Sequence, residues 1–313
     1  MILSPDECLA VSSLGWADKG GLWVLDTRRG EISTHTLSDA RYLSLCAGSD
    51  DYFAVMHHYL GEQLVITAHS FTDPVQVIGR LRFSPTGHQF EGEPRVWEYL
   101  PKAYIGFLKQ PALSDYRLFL IEPVLTQAEV VTLDWYDNSY DKDYQGLTGV
   151  VEVPGQDKLI ISVQRDSHPV LYDLSQRKVV KKLSLARRAG NPTLRFRKHP
   201  CELWADDYDT LLRLDISNWK VTDKIVIQGA RAGSQQFMGA YAFSLDESLC
   251  AVARPFSGDV VAVNTKRFRI THTCNLGHQP LTVALLSDGT VYARDWKTGR
   301  LLKGQLTKKK WFR

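Results

Sequence analysis

Residues 241–277 read YAFSLDESLCAVARPFSGDVVAVNTKRFRITHTCNLG. Four short apolar or alternating runs are separated by three clusters of turn-forming residues. Alternation with period two marks strands with distinct faces, and Asp, Ser, Gly and Pro between the runs end them. The stretch reads as one four-stranded antiparallel sheet. Such a sheet cannot cover both of its own faces, so it needs neighbours of the same kind.

The rest of the chain repeats the pattern. Ser4-Pro5-Asp6-Glu7-Cys8-Leu9 aligns with Ser244-Leu245-Asp246-Glu247-Ser248-Leu249, and Leu22-Trp23-Val24-Leu25-Asp26-Thr27 parallels Val260-Val261-Ala262-Val263-Asn264-Thr265. Both are followed by a polar turn and a strand, Glu31–Leu37 and Arg269–Asn275. Reading on in this way gives seven units of about 45 residues, the spacing of four-stranded propeller blades. No sustained helical periodicity interrupts them, which argues against an α/β fold. The expected fold is all-β: a single seven-bladed β-propeller domain over 1–313 with four-stranded antiparallel blades. The blades are expected at 1–39, 40–86, 87–134, 135–186, 187–228, 229–277 and 278–313. In this phase the chain starts on an innermost strand and ends on an outermost one at Trp311–Arg313, so no terminal strand is exchanged between blades.

Residues 277–293 (GHQPLTVALLSDGTVYA) resemble a YVTN-type propeller repeat, in which an inner strand meets a Ser-x-Asp-Gly-like turn and a second strand follows. The turn recurs at Ser4–Glu7 and Ser244–Glu247, and more loosely at Gly48–Asp51. WD-repeat proteins are similar in blade spacing, but their Trp-Asp dipeptide is missing from this chain. The resemblance implies a seven-bladed propeller with a binding or scaffold role and carries over no catalytic residue.

The 38 basic and 35 acidic residues leave a formal net charge of +3, too near balance for general nucleic-acid binding. No apolar run approaches the ~18 residues of a membrane span. Met1–Glu7 lacks the basic and apolar regions of a secretory leader, and the five cysteines are odd in number without Cys-x-x-Cys spacing. A cytoplasmic protein with reduced, buried thiols is therefore expected.

In such a blade, the loop entering the first strand and the loop joining the second and third strands share one end. By resemblance to known propellers, that end carries ligands or partners. Its most distinctive stretch is 134–146 (DWYDNSYDKDYQG), with four aromatics and four acids. Trp and Tyr offer much contact area for little lost rotamer freedom. Trp135, Tyr136, Tyr140 and Tyr144 are the candidate contacts, helped by Arg188, Arg231, Gln235 and His278 on neighbouring entry loops. The bland alternative is that these aromatics pack onto their own blade.

Asp137, Asn138, Asp141 and Asp143 offer hard oxygen donors but lack EF-hand spacing, and His57-His58 point to opposite faces of a strand. No metal or cofactor is assigned. Arg187, Arg188, Arg195, Arg197, Lys198 and His199 form a basic cluster, read as an exposed strand edge. No nucleophile elbow, phosphate loop or His-Glu-x-x-His pattern occurs. The leading expectation is a non-enzymatic scaffold that binds a protein partner through its loop-rich face. The alternatives are a lactonase- or hydrolase-type propeller enzyme and a carbohydrate-binding module, which would make a small molecule or glycan the ligand.

Overall fold

The apolar runs of the sequence become the middle strands of antiparallel sheets, and the turn clusters become their hairpins. The computed structural model describes residues 1–13, 20–38, 42–47, 52–58, 64–83, 95–97, 103–107, 116–121, 128–133, 147–163, 169–183, 194–197, 201–227 and 238–308. The chain divides into two compact units, Met1–Lys182 and Leu183–Arg313.

In the first unit, β1 (Ile2–Leu3), β2 (Leu9–Ser13), β3 (Gly20–Asp26) and β4 (Glu31–Ser38) pair in chain order. The same order holds for β5 (Tyr42–Ala47), β6 (Tyr52–His58), β7 (Leu64–Ser70) and β8 (Val77–Phe83), and for β9 (Arg95–Trp97), β10 (Ala103–Phe107), β11 (Tyr116–Ile121) and β12 (Ala128–Leu133). A fourth sheet takes β13 (Leu147–Glu152), β14 (Lys158–Val163), β15 (Val170–Asp173) and β16 (Lys178–Lys182). Side chains of the first two sheets meet in one cluster: Ile2, Val11, Leu22 and Val24 against Phe53, Val55 and Phe71. The Phe53 ring lies 5.2 Å from Phe71 and stacks on the buried His69, whose Nε2 is 2.8 Å from Thr67 Oγ1.

The second unit holds β17 (Leu194–Arg197), β18 (Glu202–Asp207), β19 (Thr210–Asp215) and β20 (Lys220–Val226) in one sheet. The next contains β21 (Tyr241–Phe243), β22 (Leu249–Arg254), β23 (Asp259–Asn264) and β24 (Arg269–Asn275). Then come β25 (Pro280–Leu285), β26 (Thr290–Asp295) and β27 (Leu301–Gln305). The sixth sheet shows how the pleat divides its residues. Cys250 and Val252 with their partners Val263 and Val261 face the fifth sheet, meeting Trp204, Leu211 and Phe268. Ala251 and Ala253 with Val260 and Cys274 face the seventh, meeting Val283, Leu285 and Val291. Middle strands are thus covered on both faces, which explains continuous runs such as Val260-Val261-Ala262-Val263 where a half-buried strand would alternate. The outer strands β16 and β20 are exposed along most of their length.

The aligned turns of the sequence share one geometry. Ser4 Oγ donates to Asp6 Oδ1 at 2.6 Å and accepts the Leu9 amide at 2.9 Å; Ser244 makes the same bonds to Asp246 and Leu249 at 2.7 and 3.1 Å. Glu7 and Glu247 both sit at positive φ, 57° and 53°, the corner that Gly289 takes at 85° in the Ser-Asp-Gly turn. The hydroxyls of Thr27 and Thr265 then donate to the carbonyls of Glu7 and Glu247, tying each hairpin to the next.

The last strand departs from expectation. Residues 311–313 lie outside the described residues, and β28 (Thr307–Lys308) leaves the seventh sheet to pair antiparallel with β24, Thr273 opposite Thr307 and His272 opposite Lys308. The edge of β24 offers unpaired backbone groups, and Thr307 Oγ1 adds a bond to the Thr273 carbonyl at 3.1 Å. Close approach of these sheets depends on Gly304, where a Cβ would collide with Cys274 Sγ and Leu276 Cδ2. The cysteines also differ in part: Cys250 and Cys274 are free and buried as expected, but Cys8 and Cys201 sit in turns and are partly exposed.

Of the basic cluster, Arg187, Arg188, Lys198 and His199 lie outside the described residues, and the reading is corrected at Arg197. Arg197 is buried, with Nη1 3.3 Å from Glu202 Oε2 and Nε 4.0 Å from Glu247 Oε2. Arg213 grips Asp223 through Nε and Nη2 at 2.9 and 2.5 Å and donates to the Thr265 carbonyl at 3.0 Å. Glu202 also lies 3.6 Å from Arg213 and accepts the Trp204 indole at 3.3 Å. Glu202 and Asp223 stand on neighbouring strands of the same sheet, while Glu247 and the Thr265 carbonyl belong to turns of the sixth, so Arg197 and Arg213 link the fifth and sixth sheets. Glu202→Gln is expected to lower unfolding stability by about 1–3 kcal/mol in denaturant titration, because two arginines lose a charged acceptor.

The turn carboxylates give a pH signature. The Cys8 side chain, the Ser4 hydroxyl and the Cys8 amide pull the Asp6 carboxyl from 3.8 down to about 2. A carboxyl held below its unfolded value contributes stability that is whole above the unfolded value and is lost as pH falls through the folded one. Melting temperature is expected to drop between pH of about 4 and about 2, and Asp6→Asn should flatten part of that drop.

Candidate functional site

Three segments of the sixth and seventh sheets lie at the loop-rich end of the second unit. Pro255–Gly258 joins β22 to β23, Leu276–Gln279 leads from β24 into β25, and Trp296–Arg300 joins β26 to β27. They are stitched together by backbone. The amides of Leu276 and Gly277 both donate to the Gly258 carbonyl at 3.0 Å, and the Trp296 amide donates to the Gln279 carbonyl at 2.7 Å. Gly258 has φ of 75°, and a Cβ there would press on the His278 carbonyl at 3.2 Å, so glycine lets the entry segment lie against the turn.

Two carboxylates lock the turns from beneath. Asp259 accepts Arg254 Nε at 2.7 Å and is also bound by Arg254 Nη2, while Arg254 Nη1 donates to the Ile227 carbonyl at 3.1 Å. Asp295, 3% exposed, accepts the Thr298 amide and hydroxyl at 2.7 and 2.9 Å and the Gln279 amide at 2.9 Å. Burial alone pushes the Asp295 carboxyl up, but the amides of Thr298, Gln279 and Lys297 with the Thr298 hydroxyl hold it below the ordinary range. His278 stands above it, mostly exposed, with Nδ1 3.7 Å from Asp295 Oδ2.

On this base two large aromatic side chains face outward. Phe256 is 40% and Trp296 47% exposed, and their rings meet edge to face with centroids 6.1 Å apart at 76°. Each comes from a different sheet, so the pair bridges the sixth and seventh. The arrangement can bury apolar surface and donate hydrogen bonds from its rim. Elsewhere, burial and then Asp157 push the Glu152 carboxyl on β13 up to about 7. Among the described residues no group of His, Cys, Asp and Glu side chains is placed to hold a metal ion. None of their helices is long and apolar enough to cross a membrane.

Of the residues singled out in the sequence, His278 is in this cluster. Trp135, Tyr136, Tyr140, Tyr144, Arg188, Arg231 and Gln235 lie outside the described residues, as do Asp137, Asn138, Asp141 and Asp143. Phe256 and Trp296 were missed because each is a lone aromatic in a short turn. The available signal was their shared place: both follow the last residue of a second strand closely, in turns that return through glycine.

No family model matches the chain, and no curated protein is similar to it. Solved structures are. The Cps50 (Swd1) β-propeller domain of Myceliophteria thermophila superposes with a TM-score of 0.67 at 12% identity, over 98% of this chain and 95% of that one. The periplasmic gluconolactonase PpgL of Pseudomonas aeruginosa gives 0.62 at 13% identity over 96% of both chains. The dihydro-heme d1 dehydrogenase NirN gives 0.52 at 16% identity, over 98% of this chain and 66% of that one. These relationships bear out the propeller resemblance read from the repeats: the fold of this chain is that of the β-propellers.

Proposed function

We propose that this chain is a non-enzymatic scaffold, a closed ring of seven four-stranded blades forming one domain over 1–313, that presents its loop-rich end to a protein partner in the cytoplasm. The observation that carries the reading is the exposed Phe256–Trp296 pair on hydrogen-bonded turns. Large aromatics on a fixed backbone are what interface centres use, since they bury much area and lose little freedom. The loop bearing Trp135, Tyr136, Tyr140 and Tyr144, with Arg188, Arg231, Gln235 and His278, belongs to the same proposed face. The likeness to a β-propeller domain and to a gluconolactonase supports the ring without choosing between binding and catalysis.

Single alanine substitutions at Trp135, Tyr136, Tyr140 and Tyr144 are expected to weaken partner capture from cytosolic extract while leaving the melting temperature within a few degrees. A true central aromatic costs about 2 kcal/mol or more in binding. Normal capture by all four variants removes this loop from the site, and capture that falls only in step with melting makes the aromatics packing residues. Lactone turnover by the purified chain would replace the scaffold with the enzyme reading, and glycan binding without any protein partner would replace it with the carbohydrate module.

Ring closure has its own test. Deleting Leu281–Arg313 uncovers the face of the sixth sheet that carries Ala251, Ala253, Val260 and Cys274. The truncated chain is expected to aggregate. A soluble monomer of unchanged heat stability would contradict the ring.

A further inference from the structure

We propose that the corner between Phe256 and Trp296 docks an acidic peptide segment through one bulky apolar side chain, its carboxylates lying over Lys297 and Arg300. The inference rests on the scaffold reading and gives the chemistry of the partner segment.

Shape argues for the apolar anchor. Two rings crossing at 76° with centroids 6.1 Å apart form a re-entrant corner, not a flat platform. A corner contacts a Leu-, Met- or Phe-sized side chain on two sides. The Arg254–Asp259 clamp and the bonds of Asp295 fix the two turns before any ligand arrives, so little backbone has to be ordered on binding.

Charge argues for the acidic flank. The carboxylates bordering these three segments are Asp259, held by Arg254, and Asp295, buried under the turn. The charged side chains those segments expose are Lys297 and Arg300, with His278 beside them. The adjoining turn of the fifth sheet carries Asp206, Asp207 and Asp209, so the cationic area lies on the seventh-sheet side of the corner. That asymmetry sets a direction: the apolar residue enters the corner and the acidic residues continue toward β27. A single-stranded nucleic acid would also meet aromatics and cations, but it needs stacking faces along a strongly basic groove. Neither the crossed rings nor a chain of net charge +3 provides one.

The experiment is selection of random displayed peptides on the full chain, followed by fluorescence anisotropy of the winners and of an oligothymidylate. The expected winners carry Asp or Glu on one side of a bulky apolar residue. Trp296→Ala and Phe256→Ala should each weaken them by about tenfold or more with unchanged melting. The Lys297→Glu, Arg300→Glu double variant should weaken them too and improve binding of the same peptides with lysine in place of each acid. Winners without acids, affinities untouched by both aromatic substitutions, or oligothymidylate bound more tightly through the same residues would each overturn the proposal. If partner capture falls with the 135–144 substitutions but not with Trp296→Ala, the scaffold reading stands and this surface alone is rejected.

Discussion

The sixth sheet has two apolar faces, and its neighbours are placed by the need to cover both. In the sixth sheet one face is filled by Cys250, Val252, Val261 and Val263 against the fifth sheet, the other by Ala251, Ala253 and Val260 against the seventh. The two faces differ in bulk. Large aromatics such as Trp204 and Phe268 fill the first gap, while small alanines and Gly304 let the seventh sheet come close on the second. Packing density is thus met by distributing volume unevenly across a sheet.

The two ends of a sheet have specialised differently. At one, Ser-x-Asp-Glu turns close on themselves: hydroxyl, carboxylate and backbone satisfy one another, and Thr27 or Thr265 seals the hairpin to the strand beyond. At the other, the hydrogen bonds run between segments, from Gly277 to Gly258 and from Trp296 to Gln279, and the bulky side chains are left outside. The first design spends its polar groups on stability. The second spends them on holding aromatic surface toward solvent.

Most of the strands were legible because turn chemistry is local. The equivalence of Ser4–Leu9 with Ser244–Leu249 rests on short-range bonds that any chain with those residues can form, and both turns make the same serine bonds to the aspartate and the leucine amide. What depends on distant partners was not legible. Arg197 looked like part of an exposed basic edge because Glu202 and Glu247, which neutralise it, belong to another strand and another sheet. The path of β28 was hidden for the same reason, since its partner is the edge of β24 rather than its own neighbour in sequence. At the loop-rich end, His278 was reachable from its place in an entry loop. Phe256 and Trp296 gain meaning only when two sheets bring them together.

The ion pairs concentrated in the fifth sheet, with Arg197 reaching Glu247 of the sixth, set a thermal hierarchy. Removing charged groups from water becomes less unfavourable as temperature rises, because their hydration carries a strongly negative entropy. The fifth sheet, where Arg197, Arg213, Glu202 and Asp223 pair and Arg197 reaches Glu247 of the sixth, therefore keeps more of its electrostatic strength on heating than a contact made of alanines. The seam between the sixth and seventh sheets, across which Phe256 and Trp296 touch, depends instead on apolar packing, backbone bonds between turns and the pairing of β24 with β28.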